Sequence, residues 1–439
     1  MINRPEYVQA LVRHKDKSNL IKVVTGVRRC GKSTLFELFQ DYLRESGIKD
    51  SQIITINLES RDNATFRDGD LLYNYVKGRT ADNQQYYVFL DELQLAADYE
   101  DVANGLRMQK NIDLYVTGSN SNILSGRSTK KSASGTKETQ WGGRYIDIKM
   151  LPLSFKEYAS AFVDTKLSKD ELFRNYTEQS SFPESLEYVT DGGYDKQGVQ
   201  DYLDTVYNSI LIHDVMKQDG IKDVSLLERV VNFMFANLGN ETSLNGIVGV
   251  LNNDLRLRPD DKKVYAATLE NYVSALLKSY LFYSTTGYNN KGKEYLTSNA
   301  KYYAVDVGLR YYLLGGDSAT DSGHVLENIV YLELLRRGYK IKVGRVKDKE
   351  VDFVATKPGG VKEYYQVSQT ILADDTLVRE LAPLKAIKDS YPKFILTRDW
   401  TNSVDAGIWI TNVLDWLLAK WAGVTASQRS SAYGPPSTK

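Results

Sequence analysis

Cysteine is almost absent from the sequence, because Cys30 is the single one among 439 residues. One cysteine excludes a disulfide framework and a metal site built from thiolates. Neither sign of charge is in excess either, since Lys+Arg and Asp+Glu both number 56. Without a global electrostatic field, any surface for nucleic acid or for an anionic membrane has to be local.

Long apolar runs are also missing. No uninterrupted apolar stretch approaches the roughly 18 residues of a membrane-spanning helix, and the amino terminus lacks the apolar core of a signal peptide. Together with the near-absence of cysteine, this favours a protein of the reducing cytoplasm with no membrane partner. A chain of this length is expected to form roughly three domains.

A phosphate-binding loop is the clearest motif. Residues 26–33 read Gly-Val-Arg-Arg-Cys-Gly-Lys-Ser, the Walker A pattern. A β-branched stretch at 20–25 predicts a strand before the loop, and helical spacing in 34–39 predicts a helix after it, which favours this interpretation over a glycine turn with a surface lysine. Backbone N–H groups in such a loop bind phosphate. The residues expected to bind ATP are Gly26, Arg28, Arg29, Cys30, Gly31, Lys32, Ser33 and Thr34.

A second apolar strand, at 86–90, ends in the adjacent carboxylates Asp91 and Glu92, the Walker B form. We expect Lys32 to reach the β- and γ-phosphates, and Ser33 and Asp91 to hold Mg²⁺, directly or through water. Glu92 would orient or deprotonate the attacking water. A solvated helix start is the alternative interpretation of an Asp-Glu pair.

The next strand, at 112–117, leads into Ser119 and Asn120. Either side chain could hydrogen-bond the γ-phosphate or the attacking water, and a helix cap is an equally good interpretation. Small and polar residues at 126–143 predict a mobile loop. Arg144 follows this loop directly before the last strand, at 145–148, and is a candidate for the arginine that reaches a neighbouring subunit's γ-phosphate. Arg127 is its rival, and a plain surface arginine is the alternative.

The region 156–315 is expected to be helical and to end in a winged helix, with a third helix at 267–280 and a basic hairpin tip at 287–293. The third helix carries one lysine, Lys278, and one acid, Glu270, which is poor for neutralising phosphates. A structural role or a contact with protein is therefore favoured over a contact with DNA, although both partners stay open.

The region 316–424 has the pattern of a restriction-endonuclease core, with a helical acid, Glu327, and a strand acid, Asp352. Gln366 and Ser368 stand where a third acid and a lysine would bind Mg²⁺ and activate water. Nuclease activity is not expected, because both the carboxylate and the cation are missing. The tail, 425–439, is expected to be disordered.

The order of these landmarks resembles a widespread prokaryotic family in which an AAA-type P-loop ATPase domain, here 1–155, is joined to a C-terminal domain of unknown function with a nuclease-like fold. Members carry a shorter, helical segment in place of the loop before Arg144, and the Gln-Val-Ser at 366–368 is similar to the family form, which implies lost nuclease chemistry. The resemblance extends to about residue 419, and its motifs lie at 26–33, 90–92, 117–119, 143–144, 151–155, 323–328 and 350–353.

The sequence thus predicts an α/β protein with a parallel-sheet P-loop ATPase domain, a helical and winged-helix middle, and an α/β restriction-endonuclease-like C-terminal domain. The primary hypothesis is an ATPase that uses ATP and Mg²⁺ to drive domain rearrangement or the assembly of a homo-oligomer. One alternative is a nucleic-acid-binding or DNA-processing effector with a degenerate nuclease-like domain. Another is a nucleotide-dependent assembly protein with little turnover.

Overall fold

The computed structural model describes residues 2–125, 143–190, 193–253, 263–289, 299–316, 322–346 and 348–419. Within these ranges the chain forms one parallel sheet, one larger mixed sheet and a small two-stranded sheet. Most of the predicted loop at 126–143, the end of the hairpin tip at 287–293 and the tail at 425–439 lie outside the described residues.

The amino-terminal region is an α/β unit built on a five-stranded sheet in the order β2-β3-β4-β1-β5. Every pair of neighbouring strands in it is parallel. Its elements are α1 (Pro5–Arg13), β1 (Ile21–Thr25), α2 (Lys32–Glu45), β2 (Ile53–Asn57), α3 (Gly69–Arg79), β3 (Tyr86–Asp91), α4 (Tyr99–Arg107), β4 (Ile112–Gly118), α5 (Asn122–Ser125) and β5 (Tyr145–Lys149).

Burial on both faces explains why β1, β3 and β4 are rich in apolar residues. Every residue of β1, β3 and β4 is buried. Successive side chains point to opposite faces, so Val24 and Phe89 pack into one apolar cluster while Val23 and Val88 pack into another. Because the strands are parallel, the residues that follow β1, β3 and β4 emerge at the same edge of the sheet. The predicted parallel sheet is confirmed.

The middle region is mainly helical, and a π-helical segment, Ile210–Met216, follows its longest helix directly. A short strand, β8, pairs with β10, which also pairs with β9. Its elements are α6 (Phe155–Ser160), α7 (Lys169–Gln179), β6 (Val189–Thr190), β7 (Gly193–Tyr194), α8 (Lys196–Ser209), α9 (Lys217–Asp219), α10 (Val224–Ala236), β8 (Glu241–Ser243), α11 (Leu244–Asn252), α12 (Ala266–Lys278), β9 (Phe282–Asn289), β10 (Asn299–Ala304) and α13 (Val307–Leu313).

The carboxyl-terminal region continues the same sheet. Strand β11 pairs in parallel with β9, so that nine strands run in the order β15-β16-β14-β13-β12-β11-β9-β10-β8. The elements are α14 (Ser322–Arg336), β11 (Lys340–Val346), β12 (Lys349–Thr356), β13 (Lys362–Ser368), α15 (Asp374–Ala386), β14 (Lys393–Thr397), β15 (Asn402–Asp405), β16 (Ile408–Asn412) and α16 (Val413–Leu418).

One apolar cluster connects the three regions. It includes Phe36 next to the phosphate loop, Phe235 in the middle region and Trp416 near the carboxyl-terminal end of the described chain. A polar contact follows the same route, since Arg336 on α14 donates from Nη2 to the carbonyl oxygen of Pro152 at 3.0 Å. The amino-terminal unit is therefore packed against the rest of the chain.

Candidate functional site

The loop between β1 and α2 has a backbone that two of its positions restrict to glycine. A Cβ atom added to Gly26 would lie 2.1 Å from the carbonyl oxygen of Met150, which is closer than any real contact. Gly31 has a φ of +99°, in the left-handed region that other residues rarely adopt. The loop can thus wrap tightly at the amino-terminal end of α2, where backbone N–H groups lack helical partners.

Lys32 is the first residue of α2, and its side chain is buried beneath the loop. Its Nζ donates to the carbonyl oxygens of Gly26 at 3.1 Å and Val27 at 3.2 Å, and lies 3.7 Å from Oε1 of Glu92. Burial alone would lower the pKa of Lys32, but the negative charges around it, of which Glu92 is the strongest, together outweigh burial and raise the pKa. The ammonium group therefore stays charged within the loop that is shaped for phosphate.

Ser33 and Asp91 come together from two elements. The Ser33 hydroxyl donates to Oδ2 of Asp91 at 2.7 Å, and the Thr117 hydroxyl donates to Oδ1 of the same carboxylate. Burial raises the pKa of Asp91 above its usual value. A hydroxyl and a carboxylate in contact are the hard oxygen donors that Mg²⁺ takes in phosphate sites, so this donor set fits the predicted metal.

Glu92 follows β3 in a left-handed backbone conformation, with a φ of 53°. Such a conformation costs on the order of 1–3 kcal/mol in a residue other than glycine and is characteristic of functional sites. The carboxylate accepts hydrogen bonds from the Gln94 side chain and from the backbone N–H of Ser119, the latter at 3.3 Å. Burial would raise its pKa, but the charges of Lys32 and Arg28 outweigh burial and lower it. Glu92 is thus ionised at neutral pH, as a proton acceptor must be.

Ser119 and Asn120 lie directly after β4, and both are fully buried. Their side chains donate to Asp214, Ser119 from Oγ to Oδ1 at 2.9 Å and Asn120 from Nδ2 to the backbone carbonyl at 2.9 Å. Oδ1 of Asn120 also accepts from the backbone N–H of Asn122 at 2.9 Å, at the start of α5. The Asn120 side chain therefore caps this short helix and also contacts the middle region.

Asp214 is the residue of this site that sequence patterns did not predict. It lies in the π-helical segment and is 0% exposed. Arg28 of the phosphate loop donates to its carboxylate from Nε at 3.1 Å and also reaches Glu59 from Nη1 at 2.7 Å. The available signal was a single acid within the apolar run Ile-Leu-Ile-His-Asp-Val-Met at 210–216, because a carboxylate buried in such a run requires partners.

A cleft of about 540 Å³ opens above the loop. Arg29 pairs across it with Glu184 at 2.6 Å. The side chain of Cys30 does not line the cleft, since it is fully buried in the apolar cluster and burial raises the pKa of its thiol. The lining residues are Arg28, Arg29, Gly31, Lys32, Ser33, Thr34, Glu59, Glu92, Pro183, Glu184, Ser209 and His213.

Arg144 lies at the amino-terminal end of the strands, on the side of the sheet opposite to the phosphate loop. It is exposed and immediately precedes β5, and its carbonyl oxygen accepts from the N–H of Ile21 at the start of β1. The five residues of β1, at about 3.3 Å each, put roughly 16 Å between this end and the phosphate loop. The structure therefore does not bring Arg144 to the cleft of its own chain. Its rival Arg127 lies outside the described residues.

The motifs and the sheet agree with the comparisons to known families. A family model described as an AAA domain matches residues 18–159, and a second model, a domain of unknown function (DUF8612), matches residues 170–320. The amino-terminal unit is an AAA-type P-loop ATPase domain. The second match covers most of the middle region. None of the helices within the described ranges has the length and apolar character needed to cross a membrane.

Two proteins without an assigned function are similar to this chain over most of its length. An uncharacterized protein of Haemophilus influenzae is 34% identical over 422 residues, which are 95% of this chain and 99% of that protein. An uncharacterized protein of Methanocaldococcus jannaschii is 27% identical over 391 residues, 84% of this chain and 79% of that protein.

The solved structures are more distant. The Aeropyrum pernix ORC2 protein, solved as ADPNP-ADP complexes, is 12% identical with a TM-score of 0.39 and covers 75% of this chain and 93% of its own. AMPPCP-bound DnaA from Aquifex aeolicus is 10% identical with a TM-score of 0.29 and covers 62% of this chain and 86% of its own.

Proposed function

From the premise that the chain belongs to the family of the Haemophilus influenzae protein and contains an AAA-type P-loop ATPase domain, we propose that it binds ATP with Mg²⁺ and hydrolyses it. The observation that carries the proposal is the convergence of a buried lysine, a Ser-Asp pair and an ionised glutamate at one edge of the sheet. Lys32, Ser33 and Glu92 all line the same cleft.

Each of these side chains has a distinct task. The loop N–H groups and the Lys32 ammonium bind the β- and γ-phosphates, and Ser33 and Asp91 hold the metal. When bound, Mg²⁺ supplies positive charge that offsets the charge developing on the phosphate oxygens. Glu92 accepts the proton of the attacking water, and Ser119 orients Glu92 through its N–H group. Asn120, the next residue, holds the same segment in place through its hydrogen bond to the backbone carbonyl of Asp214.

The Glu92→Gln variant is expected to keep ATP binding and to lose hydrolysis by on the order of 10² or more, because an amide keeps the shape of the side chain but cannot accept the proton. Phosphate release under saturating ATP measures this loss, and calorimetry measures binding. Glu187→Gln is the matched control, since Glu187 is exposed and does not line the cleft. Wild-type turnover in Glu92→Gln would show that another group is the base.

Hydrolysis is proposed to move the middle and carboxyl-terminal regions. The segment after β4 contacts Glu92 of the cleft through Ser119. Several hydrogen bonds join this segment to the middle region. Besides the bonds to Asp214, the N–H of Ser121 donates to the carbonyl oxygen of Lys278 at 3.0 Å, and Asn122 donates to Gln218 at 3.5 Å. A shift of Ser119 on loss of the γ-phosphate would thus reach α9 and α12 directly.

The arrangement of α10, α11, α12 and the hairpin β9–β10 supports a winged helix as the finer description of the middle region. Helix α12 gives little support to DNA binding. Lys278, its lysine, is paired with Asp219 at 2.8 Å, and most of the apolar residues of the helix are buried in the protein core. We therefore propose that this unit transmits motion or contacts protein.

A DNA-processing function depends on the acids of the carboxyl-terminal region, whose fold we propose to be restriction-endonuclease-like. A lysine from the hairpin β9–β10 contacts these acids. Nζ of Lys301 lies 3.1 Å from Oε1 of Glu327 and 2.6 Å from Oε1 of Glu350, and the hydroxyl of Tyr303 donates to Glu327 at 2.8 Å. Burial and the negative charge of Glu327 hold the pKa of Asp352 well above its usual range. One internal ammonium group thus contacts both glutamates and offsets part of the negative charge that would attract a metal.

This cluster is proposed to be a structural link between the hairpin and the carboxyl-terminal sheet. Across the described ranges, no three His, Cys, Asp or Glu side chains are grouped so that they could hold a metal ion. The sequence indicated that the cation of a nuclease site is missing, because the Gln366 to Ser368 stretch contains no lysine. In the structure, Lys301 brings an ammonium group to Glu327 from another strand.

Plasmid cleavage distinguishes a link from a nuclease. With Mg²⁺, the wild-type protein and Asp352→Ala are both expected to leave supercoiled plasmid intact, because the Lys301 ammonium group already contacts Glu327 and Glu350 and offsets part of their charge. Gel electrophoresis of both proteins, purified in parallel, provides the measurement. Mg²⁺-dependent nicking by the wild type that disappears in Asp352→Ala would favour the DNA-processing function instead.

A further inference from the structure

The carboxylate of Asp214 is buried at the junction between the middle region and the nucleotide site. It accepts hydrogen bonds from two different loops of the ATPase domain, from Arg28 at 3.1 Å and from Ser119 at 2.9 Å. The backbone carbonyl of Asp214 accepts a third bond, from Asn120. A single residue of the middle region therefore contacts both the phosphate loop and the segment after β4.

These contacts are needed for the carboxylate to be buried at all. A carboxylate removed from water destabilises the fold strongly unless charged and hydrogen-bonded partners replace the solvent. The guanidinium of Arg28 supplies the charge and the Ser119 hydroxyl completes the set. The geometry of Arg28 and Ser119 consequently depends on the position of Asp214, and the reverse also holds.

The π-helical backbone explains how one short segment can line the cleft and also place a carboxylate against Arg28 and Ser119. Residues 210–216 have the wider helical turn, which is rare and occurs often at functional sites. Ser209 and His213 line the cleft, while Asp214 is turned inward to Arg28 and Ser119. The segment thus presents one wall of the cleft and the buried carboxylate behind it.

We propose that Asp214 is a positioning residue for ATP hydrolysis: it aligns Arg28 and Ser119 around the γ-phosphate, so that turnover requires the π-helical segment to be docked on the ATPase domain. The proposal rests on the proposed function. It makes the middle region a built-in regulator of the site, since undocking the segment would withdraw Asp214 and leave Arg28 without its buried partner.

The Asp214→Asn variant tests this role, because it removes the charge and keeps the size of the side chain. ATP affinity should change less than about 3-fold, because Lys32 and the loop supply binding, while kcat should fall by roughly 10–10², the scale of a misaligned group near the reacting atoms. Asp204→Asn is the matched control, since Asp204 is exposed on the preceding helix and contacts Asn208 and Tyr312 instead. It should keep both values.

A double-mutant cycle separates positioning from a general loss of structure. Ser119→Ala removes only the hydroxyl that contacts Asp214, and it should lower kcat as well. If one contact is responsible, the double variant should lose little more than the more impaired single variant. A structural role alone would lower the unfolding temperature and impair binding and turnover together. Should Asp214→Asn fail to fold, an unchanged kcat in a folded Ser119→Ala protein still overturns the proposal.

The two proposals fail in different ways. A wild-type protein that shows no ATP binding by calorimetry would overturn the proposed function itself. A wild-type protein that hydrolyses ATP, with an unchanged kcat in Asp214→Asn or in a folded Ser119→Ala, would overturn the positioning role and leave the ATPase assignment intact.

Discussion

Lys32→Ala is expected to abolish measurable ATP binding. The side chain contributes the ammonium group that the loop holds among the carbonyl oxygens of Gly26 and Val27, beside Glu92. Two hydrogen bonds from this cation to phosphate oxygens are worth about 3–6 kcal/mol together, and their loss weakens binding by roughly 10²–10⁴. Removing Lys32 also leaves Glu92 facing the phosphates without its nearest positive charge, which weakens binding further.

Calorimetric titration with ATP and Mg²⁺ measures the effect, and thermal unfolding shows whether the variant is folded. Lys49→Ala is the matched control, because Lys49 is exposed beyond the end of α2 and does not line the cleft. Undiminished affinity in a folded Lys32→Ala protein would contradict the assignment of the loop.

Arg144→Ala is expected to preserve ATP binding and to lower hydrolysis by up to roughly 10³, the low end of what an arginine supplied by a neighbour contributes. The reason lies in its position. Arg144 is exposed at the edge of the sheet opposite to its own phosphate loop, so its guanidinium is available to a second copy of the chain. We propose that this second copy presents its cleft there, which requires a homo-oligomer.

Mixing variants tests whether the site is shared. Subunits carrying Arg144→Ala and subunits carrying Lys32→Ala should regain partial hydrolysis when they are assembled together, because one supplies the arginine and the other the intact loop. Arg107→Ala is the control, because Arg107 is a neighbouring arginine. Burial lowers the pKa of Arg107, and Arg144 lies close enough for its charge to lower that pKa as well. A fully active protein that light scattering shows to be monomeric with ATP would disprove the shared site.

The candidate nucleotide site was predictable because its residues directly follow strands that have a strong sequence signal. Buried parallel strands are continuous apolar runs, and the residues after them meet at one edge, so Lys32, Asp91 and Ser119 could be placed together from their positions along the chain. The structure adds distances and charge states to that prediction. It also shows that the Cys30 side chain is buried and does not line the cleft.

Contacts between distant parts of the chain were not predictable in the same way. Arg28 and Asp214 are separated by 186 residues, and no periodicity connects a loop arginine with an acid in an apolar helix. Likewise, no sequence pattern indicates that Lys301, on β10, contacts Glu327, 26 residues further on. In both cases tertiary packing selects the partner, because a buried charge is stable only where the fold brings an opposite charge to it.

The parallel pairing of β9 with β11 has a practical meaning for work on separate fragments. Val343 lies opposite Gly287 and Arg345 opposite Asn289, so the strands on either side of the predicted boundary at 315 complete each other's hydrogen bonds. A fragment that ended at this boundary would leave β9 with a row of unpaired N–H and C=O groups, the template on which foreign strands aggregate. Self-association of such a fragment would report an open sheet edge rather than the assembly state of the intact chain.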